Sequence, residues 1–458
     1  MRREHLEAFE TYVKQIMETY GAVGLAVSAI DPQKTLYRRS FGWADLEEQR
    51  PIDEHTLFGL ASITKSFTCV ALMQLHERKI IDINAPVSSY LPEFTNKNHE
   101  PVLVWHLMSH SAGFYPRKRL CAVPLAQELG LPQDQDLAYS TALAEEAVRR
   151  VAAGLDEQTD HIAYPGEFLS YSNDSFGLLA EIIRRYGGES SYAAYIKKNI
   201  LEPLGMERSS CEFLRPAADP NAATLYYFED GKRCSCRDYH CQAFALMGGG
   251  ALKSTISEME SYLRMYLLDG WGDMDQIIDH CSIVQMMVPR VNYRYEEKYG
   301  FGLAIGKLEN ARLIGHGGSL PGVSSYFVWS PEMQKGVVVL CNTTGVPAAS
   351  VARALMRVLK DLPPVEEPEY RERPWRPEVI RLACGRYSCE EGHSIELVLC
   401  GNGIGVKDGE EIYPAKMVAP DALIYRRKMV DADVKVFYRR DGTFWGMRSG
   451  GRVLKKEN

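Results

Sequence analysis

At 458 residues the chain exceeds one ordinary hydrophobic core, so two domains are expected. Apolar residues make up 45% and charged residues 25%, which excludes a disordered or collagen-like chain. A formal net charge of -7, with lysines and arginines scattered rather than striped, excludes nucleic acid and an anionic membrane surface as working partners.

The opening stretch, MRREHLEAFETYVKQIMETYG, is charged throughout, and Leu6, Phe9, Val13, Ile16 and Tyr20 recur at helical spacing. That pattern predicts an amphipathic helix of the fold. No apolar export segment follows the early arginines and no run reaches a membrane span, so a cytoplasmic protein without a membrane partner is expected. Eleven dispersed cysteines, an odd number, read as reduced structural thiols. VGLAVSAI and TLYRRSFGWA then predict a hairpin.

Next comes GLASITKSFT, and the following CVALMQLHERKI keeps Val70, Leu72, Met73 and Leu75 on more than one face. A helix apolar all round is a buried one, so Lys65 starts inside protein, where a charge is costly unless paired or used. The plain account is a capping serine and a snorkelling lysine. A chemical account explains more. Three residues apart on a helix, Lys65 reaches the Ser62 hydroxyl, and burial lowers the lysine pKa so that neutral amine can take a proton. The Ser62 N–H, unpaired at the helix start, is free to donate to an oxyanion. All of this suits acyl transfer through a serine ester, the S-x-x-K pattern.

YPGEFLSYSND places Tyr171 and Asn173 in a Y-x-N arrangement after a Pro165–Gly166 turn and before a helix predicted from Ser172 to Tyr186. Tyr171 can exchange protons with nucleophile and leaving group, and Asn173 can hydrogen-bond substrate and Lys65; the plain accounts are a packed aromatic and a helix cap. In CSCRDYHC, Cys234, Cys236, His240 and Cys241 could in principle hold zinc, but their spacing fits no paired C-x-x-C frame, so a cysteine-rich loop and no metal are expected. A helix is predicted from Ser254 to Leu268. In LIGHGGSLPG, the small residues of His316-Gly317-Gly318 let a substrate backbone lie along a strand edge, and the Ser319 N–H can complete an oxyanion hole with Ser62. Its plain account is a glycine-rich turn with a satisfied histidine. SSYFVWSP and KGVVVLCN predict a second strand pair. Strands at both ends with helices between predict one sheet built from the two termini, plus a helical lobe.

DLPPVEEPEYRERPWRP has five prolines in seventeen residues and predicts a stiff linker. After it, HSIELVLC, DALIYRRK and VKVFYRRDGTFWGMRS are short β-rich runs, with Asp441-Gly442 as a hairpin signal. GNGIGVKDG reads as turns rather than a phosphate cradle. The expected division is a catalytic domain over 1–360, a linker over 361–377 and a small antiparallel β domain over 378–458.

With S-x-x-K, Y-x-N and H-G-G in that order, the sequence resembles the serine β-lactamase-like family of class C β-lactamases, D-aminopeptidases, D,D-peptidases and related esterases. PIDEHTLFGLASITKSFT, KIIDINAPVSSYLPEF, VWHLMSHSAGF, SYSNDSFGLLAEII, MGGGALKSTISEMESYL, YGFGLAIG and GVSSYFVWSPEMQKGVVVLCNTT look like family blocks in family order. The resemblance implies an α+β fold: an α/β sandwich with an antiparallel sheet flanked by helices, a helical lobe, and the active site in the groove between. It implies Ser62 as nucleophile, Lys65 as its base, Tyr171 as general acid/base, and Asn173, His316, Gly317 and Gly318 as substrate contacts. It implies no cofactor. The C-terminal domain resembles the lipocalin-like appendage some members carry, which can restrict the groove.

One departure matters. Class C β-lactamases have lysine where this chain has His316, which near neutral pH is mostly uncharged. That lowers the expectation of β-lactamase or penicillin-binding activity and favours a peptidase, amidase or esterase acting on a small-molecule or peptide substrate. An α/β-hydrolase would need a G-x-S-x-G elbow, which the chain lacks, and HERKI lacks the second histidine of H-E-x-x-H. A catalytically silent binding module on the same fold is the remaining alternative. Groove walls are expected from loops such as Tyr115 to Asp160 and Leu214 to His240.

Overall fold

The computed structural model describes residues 2–457 apart from 97–99, 133, 160, 240–243, 376, 409 and 439–443. Helix α1 (Arg3–Tyr20) buries Phe9, Val13 and Ile16, three of the residues whose spacing predicts it, and Gly21 ends it in the left-handed conformation at φ 64°. Strands β1 (Gly24–Ile30), β2 (Thr35–Asp45), β3 (Ala304–Leu308), β4 (Ala311–Leu320), β5 (Val323–Ser330) and β6 (Lys335–Cys341) form the body of a nine-stranded sheet in the order β2-β1-β6-β5-β4-β3. All pairings among the described residues of this sheet are antiparallel. The strands therefore come from both ends of the N-terminal part of the chain, as the sequence pattern implies.

Side chains alternate along β1 and β6. Leu25, Val27, Val337 and Val339 pack with Phe9 and Val13 of α1 and with Val351 and Leu355 of helix Ala348–Leu359. Ala26, Ile30, Val338 and Leu340 join the larger core beneath helix α2 (Thr64–Glu77) and helix Ile256–Leu267. Covering both faces explains why these strands read as unbroken apolar runs. Helix α2 is buried at every position from Thr64 to Leu75, because the sheet lies on one side and helix α3 (Asn173–Tyr186) in the lobe on the other. The stretch beginning at Tyr115, expected as a loop, carries helices over Ala122–Glu128 and Thr141–Asp156; Ser140 caps the second by accepting the Leu143 N–H. The stretch from Leu214 likewise departs from loop, with a β-ribbon of Leu225–Glu229 on Lys232–Cys236.

Beyond the N-terminal part, residues 362–375 form neither helix nor strand, as their prolines dictate. They are pinned along the barrel: the Arg373 N–H donates to the Met417 carbonyl at 2.8 Å and the Tyr370 hydroxyl to Asp431 at 3.0 Å. A short helix, Pro377–Ala383, leads into eight antiparallel strands that close into a barrel, the first (Gly385–Ser388) pairing with both the second (Ser394–Cys400) and the last (Arg452–Lys456). Tyr387, Leu397, Val406, Val434 and Met447 fill its core. Closure leaves no free sheet edge. The Asp441-Gly442 hairpin signal lies outside the described residues, between two strands that do pair, Val430–Tyr438 and Phe444–Ser449.

Candidate active site

Ser62 sits in a tight 3₁₀ turn, Ala61–Ile63, that runs directly into α2. Ala61 before it has φ 48°, a left-handed conformation that costs a non-glycine residue about 1 kcal/mol or more. Three contacts hold it there. The Leu60 N–H donates to the Leu252 carbonyl at 2.9 Å, the Ser325 hydroxyl donates to the Leu60 carbonyl at 2.7 Å, and the Thr64 hydroxyl donates to the Ala61 carbonyl at 2.7 Å. Strand β4 presses on the same turn at Gly318, where an added Cβ would run into the Leu60 carbonyl oxygen. Gly318 of the third motif thus brings β4 against the Leu60–Ala61 backbone just before Ser62.

Lys65 is fully buried. Its Nζ lies 2.8 Å from Asn173 Oδ1, 2.7 Å from the Gly249 carbonyl and 3.1 Å from Ser62 Oγ. Burial, with the Arg452 charge adding to it, drives the lysine pKa well down, while Glu391 opposes the shift. A neutral amine has two hydrogens and one lone pair. Asn173 and Gly249 can only accept here, so they take the two hydrogens and leave the lone pair for the Ser62 O–H. In its neutral form Lys65 is therefore placed to take a proton from the Ser62 hydroxyl.

Tyr171 is buried among Leu169, Val291, Tyr293 and Tyr299. Burial raises its pKa, and the Arg452 guanidinium and the Ser62 hydroxyl partly offset the rise, so it stays a neutral phenol next to the nucleophile. The helix cap is Ser172, whose Oγ accepts the Ser175 N–H at 3.1 Å, and Asn173 is thereby left to serve Lys65. His110, missed from the sequence although it stands in VWHLMSHSAGF, braces this segment. Its carbonyl accepts the Ser170 N–H at 2.8 Å, its Nδ1 accepts the Ser172 N–H at 3.1 Å, and its ring lies 3.9 Å from the Tyr171 ring, centroid to centroid. The two flanking N–H bonds and the ring contact enclose the tyrosine.

His316 on β4 is buried. Its Nδ1 donates to the Gly317 carbonyl at 2.6 Å, so its Nε2 accepts the Tyr299 hydroxyl at 2.8 Å. Burial, reinforced by Lys65, pushes its pKa down to about 3. It is a neutral, satisfied imidazole and supplies no fixed positive charge. Ser319 follows Gly318 on the same strand, exposed and in register with Ser324. All eight residues singled out from the sequence therefore lie on three adjoining elements: the Ser62 turn with α2, the start of α3, and β4. Of the cysteine cluster, Cys234 and Cys236 lie on the β-ribbon, and His240 and Cys241 are outside the described residues; among the described residues no group of three or more His, Cys, Asp or Glu could hold a metal.

The barrel adds two side chains that no sequence pattern marks. The Asn173 amide nitrogen donates to Glu391 Oε1, and Arg452 Nε donates to Glu391 Oε2 at 2.9 Å. The guanidinium carbon stands 4.5 Å over the Tyr171 ring, and the Tyr171 N–H donates to the Gly451 carbonyl at 3.0 Å.

Residues 9–360 match the beta-lactamase family. The chain belongs to that family. Among curated relatives, penicillin-binding protein 4* of Bacillus subtilis is 26% identical over 353 residues, covering 74% of this chain and 72% of that one. A D-aminopeptidase of Brucella anthropi is 24% identical over 368 residues, covering 80% of this chain and 65% of that protein. Among solved structures, the octameric penicillin-binding protein homologue from Pyrococcus abyssi superposes with a TM-score of 0.69 at 24% identity, over 98% of this chain and all of that one, so the beta-lactamase fold and the barrel recur there together. No helix among the described residues is long and apolar enough to cross a membrane.

Proposed function

We propose that this chain is a serine hydrolase that opens an amide or ester bond through an acyl-Ser62 intermediate. Ser62 Oγ attacks the carbonyl carbon and its proton passes to the Lys65 amine. The oxyanion is held by the N–H of Ser62 and an N–H of the β4 edge, Ser319 being the assigned donor. The proton returns through Tyr171 to the departing nitrogen or oxygen, and that fragment leaves. Water then attacks the ester with the same base, releasing the acid and restoring Ser62. The carrying observation is the fully buried Lys65 Nζ within hydrogen-bond distance of Ser62 Oγ, Asn173 Oδ1 and the Gly249 carbonyl. The relatives' names, a penicillin-binding protein and a D-aminopeptidase, support acyl chemistry on amides. We assign residues 1–360 to catalysis, 361–377 to the linker and 378–458 to the barrel domain, and a small-molecule or peptide substrate to the groove.

Penicillin binding is the second reading, favoured by the Bacillus relative and opposed by the neutral His316. The test is intact-mass spectrometry after incubation with a fluorophosphonate and, separately, a fluorescent penicillin. A Ser62-dependent adduct with the fluorophosphonate is expected, and Ser62→Ala, which removes only a hydroxyl, abolishes adduct and turnover while leaving the fold. Folded protein that takes neither probe would be a binding module.

A further inference from the structure

Two adjacent turns of the barrel enter the catalytic groove. One, between strands Gly385–Ser388 and Ser394–Cys400, carries Glu391; the other, before strand Arg452–Lys456, carries Gly450 and Gly451. Gly451 has φ 83°, and a Cβ on it would lie 3.3 Å from the Tyr171 Cβ and 3.0 Å from the Tyr293 ring, so a glycine lets this turn press on the tyrosine's backbone. Arg452 follows at once. Hydrogen bonds then run without a break from Ser62 to Lys65, Asn173, Glu391 and Arg452, and the guanidinium returns over the Tyr171 ring.

The ion pair of Arg452 and Glu391, whose side chains are 26% and 11% exposed, ties the two barrel turns to each other. Its placement beside the reacting groups has another use. Glu391 holds the guanidinium by Nε, and Nη1 donates to the Gly450 carbonyl at 3.2 Å. Nη2 has no protein acceptor among the described residues, and Nη1 keeps a second hydrogen, so the end of the fork that matches a carboxylate is available. Arginine stays charged at any working pH, whereas the β4 edge offers only the hydrogen-bonded His316. The fork stands over the residue that would hand a proton to the departing atom. A ligand gripped there belongs to the leaving side of the scissile bond.

We propose that Arg452, oriented by Glu391, is a carboxylate subsite for the leaving group, so that preferred substrates release a fragment bearing a carboxylate, such as the C-terminal residue of a peptide. This rests on the acyl-Ser62 reading. The test compares the meta-carboxyphenyl and meta-carbamoylphenyl esters of N-acetylglycine, which differ only in the charge on the departing phenol. The wild type is expected to favour the carboxylate by about tenfold or more in kcat/KM, the worth of a hydrogen-bonded charge. Arg452→Gln should bring the ratio of the two towards one, and Arg452→Lys, a charge without the fork, should retain part of it. A wild-type ratio near one would overturn the subsite, as would an Arg452→Gln variant that slows both esters equally and keeps the ratio. Failure to cleave either ester while Ser62 still takes the fluorophosphonate overturns the subsite alone; failure to take the probe as well overturns the serine chemistry beneath it.

Discussion

In the proposed mechanism Lys65 is the residue on which the chemistry turns, because its proton decides whether Ser62 has a base. Burial and Arg452 push its pKa down; Glu391 pushes it up. The acid limb of kcat/KM reports the protonation of this free-enzyme base: activity is present above the lysine pKa and is lost as pH falls through it. Removing the Glu391 charge removes an influence that favours the ammonium, so Glu391→Gln should move the acid limb to lower pH. The measurement is a pH profile with a neutral ester, which avoids titration in the substrate. An unmoved limb would mean that another group sets it. Only the direction of movement is diagnostic, since the same substitution also alters the Asn173 hydrogen bond and can change the plateau.

At the scale of elements, two devices bring distant segments to Ser62, and each can be broken by a small change. Gly318 lets β4 meet the nucleophile turn; Gly318→Ala should force the strand off the Leu60 carbonyl, costing about 1–3 kcal/mol and at least a hundredfold in activity, read from thermal melts and ester kinetics. His110 braces the Tyr171 segment from within its own left-handed turn at φ 55°. His110→Ala leaves the Ser172 N–H unpaired and should lower kcat with little change in KM, since a displaced acid slows chemistry more than binding. His110→Asn places an oxygen near the former Nδ1 and tolerates the left-handed backbone, so it should recover part of kcat; equal loss in both variants would reduce His110 to packing. These devices also mark what the sequence could disclose. Ser62 and Lys65 were legible because a lysine in an all-round apolar helix is anomalous over three residues, and Tyr171, Asn173 and His316-Gly317-Gly318 because each motif is local. Glu391 and Arg452 were not, for a charged residue in a turn and another opening a strand are ordinary in any barrel, and only the docking of the two halves brings these two to Asn173 and Tyr171.

For the whole molecule, the question is whether the barrel is cargo or part of the site. The seam between the halves is built of specific contacts. Phe168 meets Phe437 edge to face at 4.5 Å between centroids, Arg448 Nη1 donates to the Asn292 carbonyl at 2.9 Å, and the Tyr295 N–H donates to Asp433 at 3.1 Å. With the Gly451 carbonyl on the Tyr171 N–H, that seam holds the segment bearing the proposed general acid. If the seam positions Tyr171, then loosening the barrel from inside, far from Ser62, should disarm an otherwise intact catalytic domain. Leu397 is suited to the test: it is 1% exposed in the barrel core and touches nothing in the groove. Leu397→Ala should cost the barrel about 2–5 kcal/mol by creating a cavity. Calorimetry is expected to show an earlier barrel transition beside a catalytic-domain transition that hardly moves, with ester hydrolysis lost at the first. Activity that persists through the barrel's melting and falls only with the second transition would make the barrel dispensable for catalysis, and would leave Tyr171 held by His110 and the cluster of Leu169, Val291, Tyr293 and Tyr299.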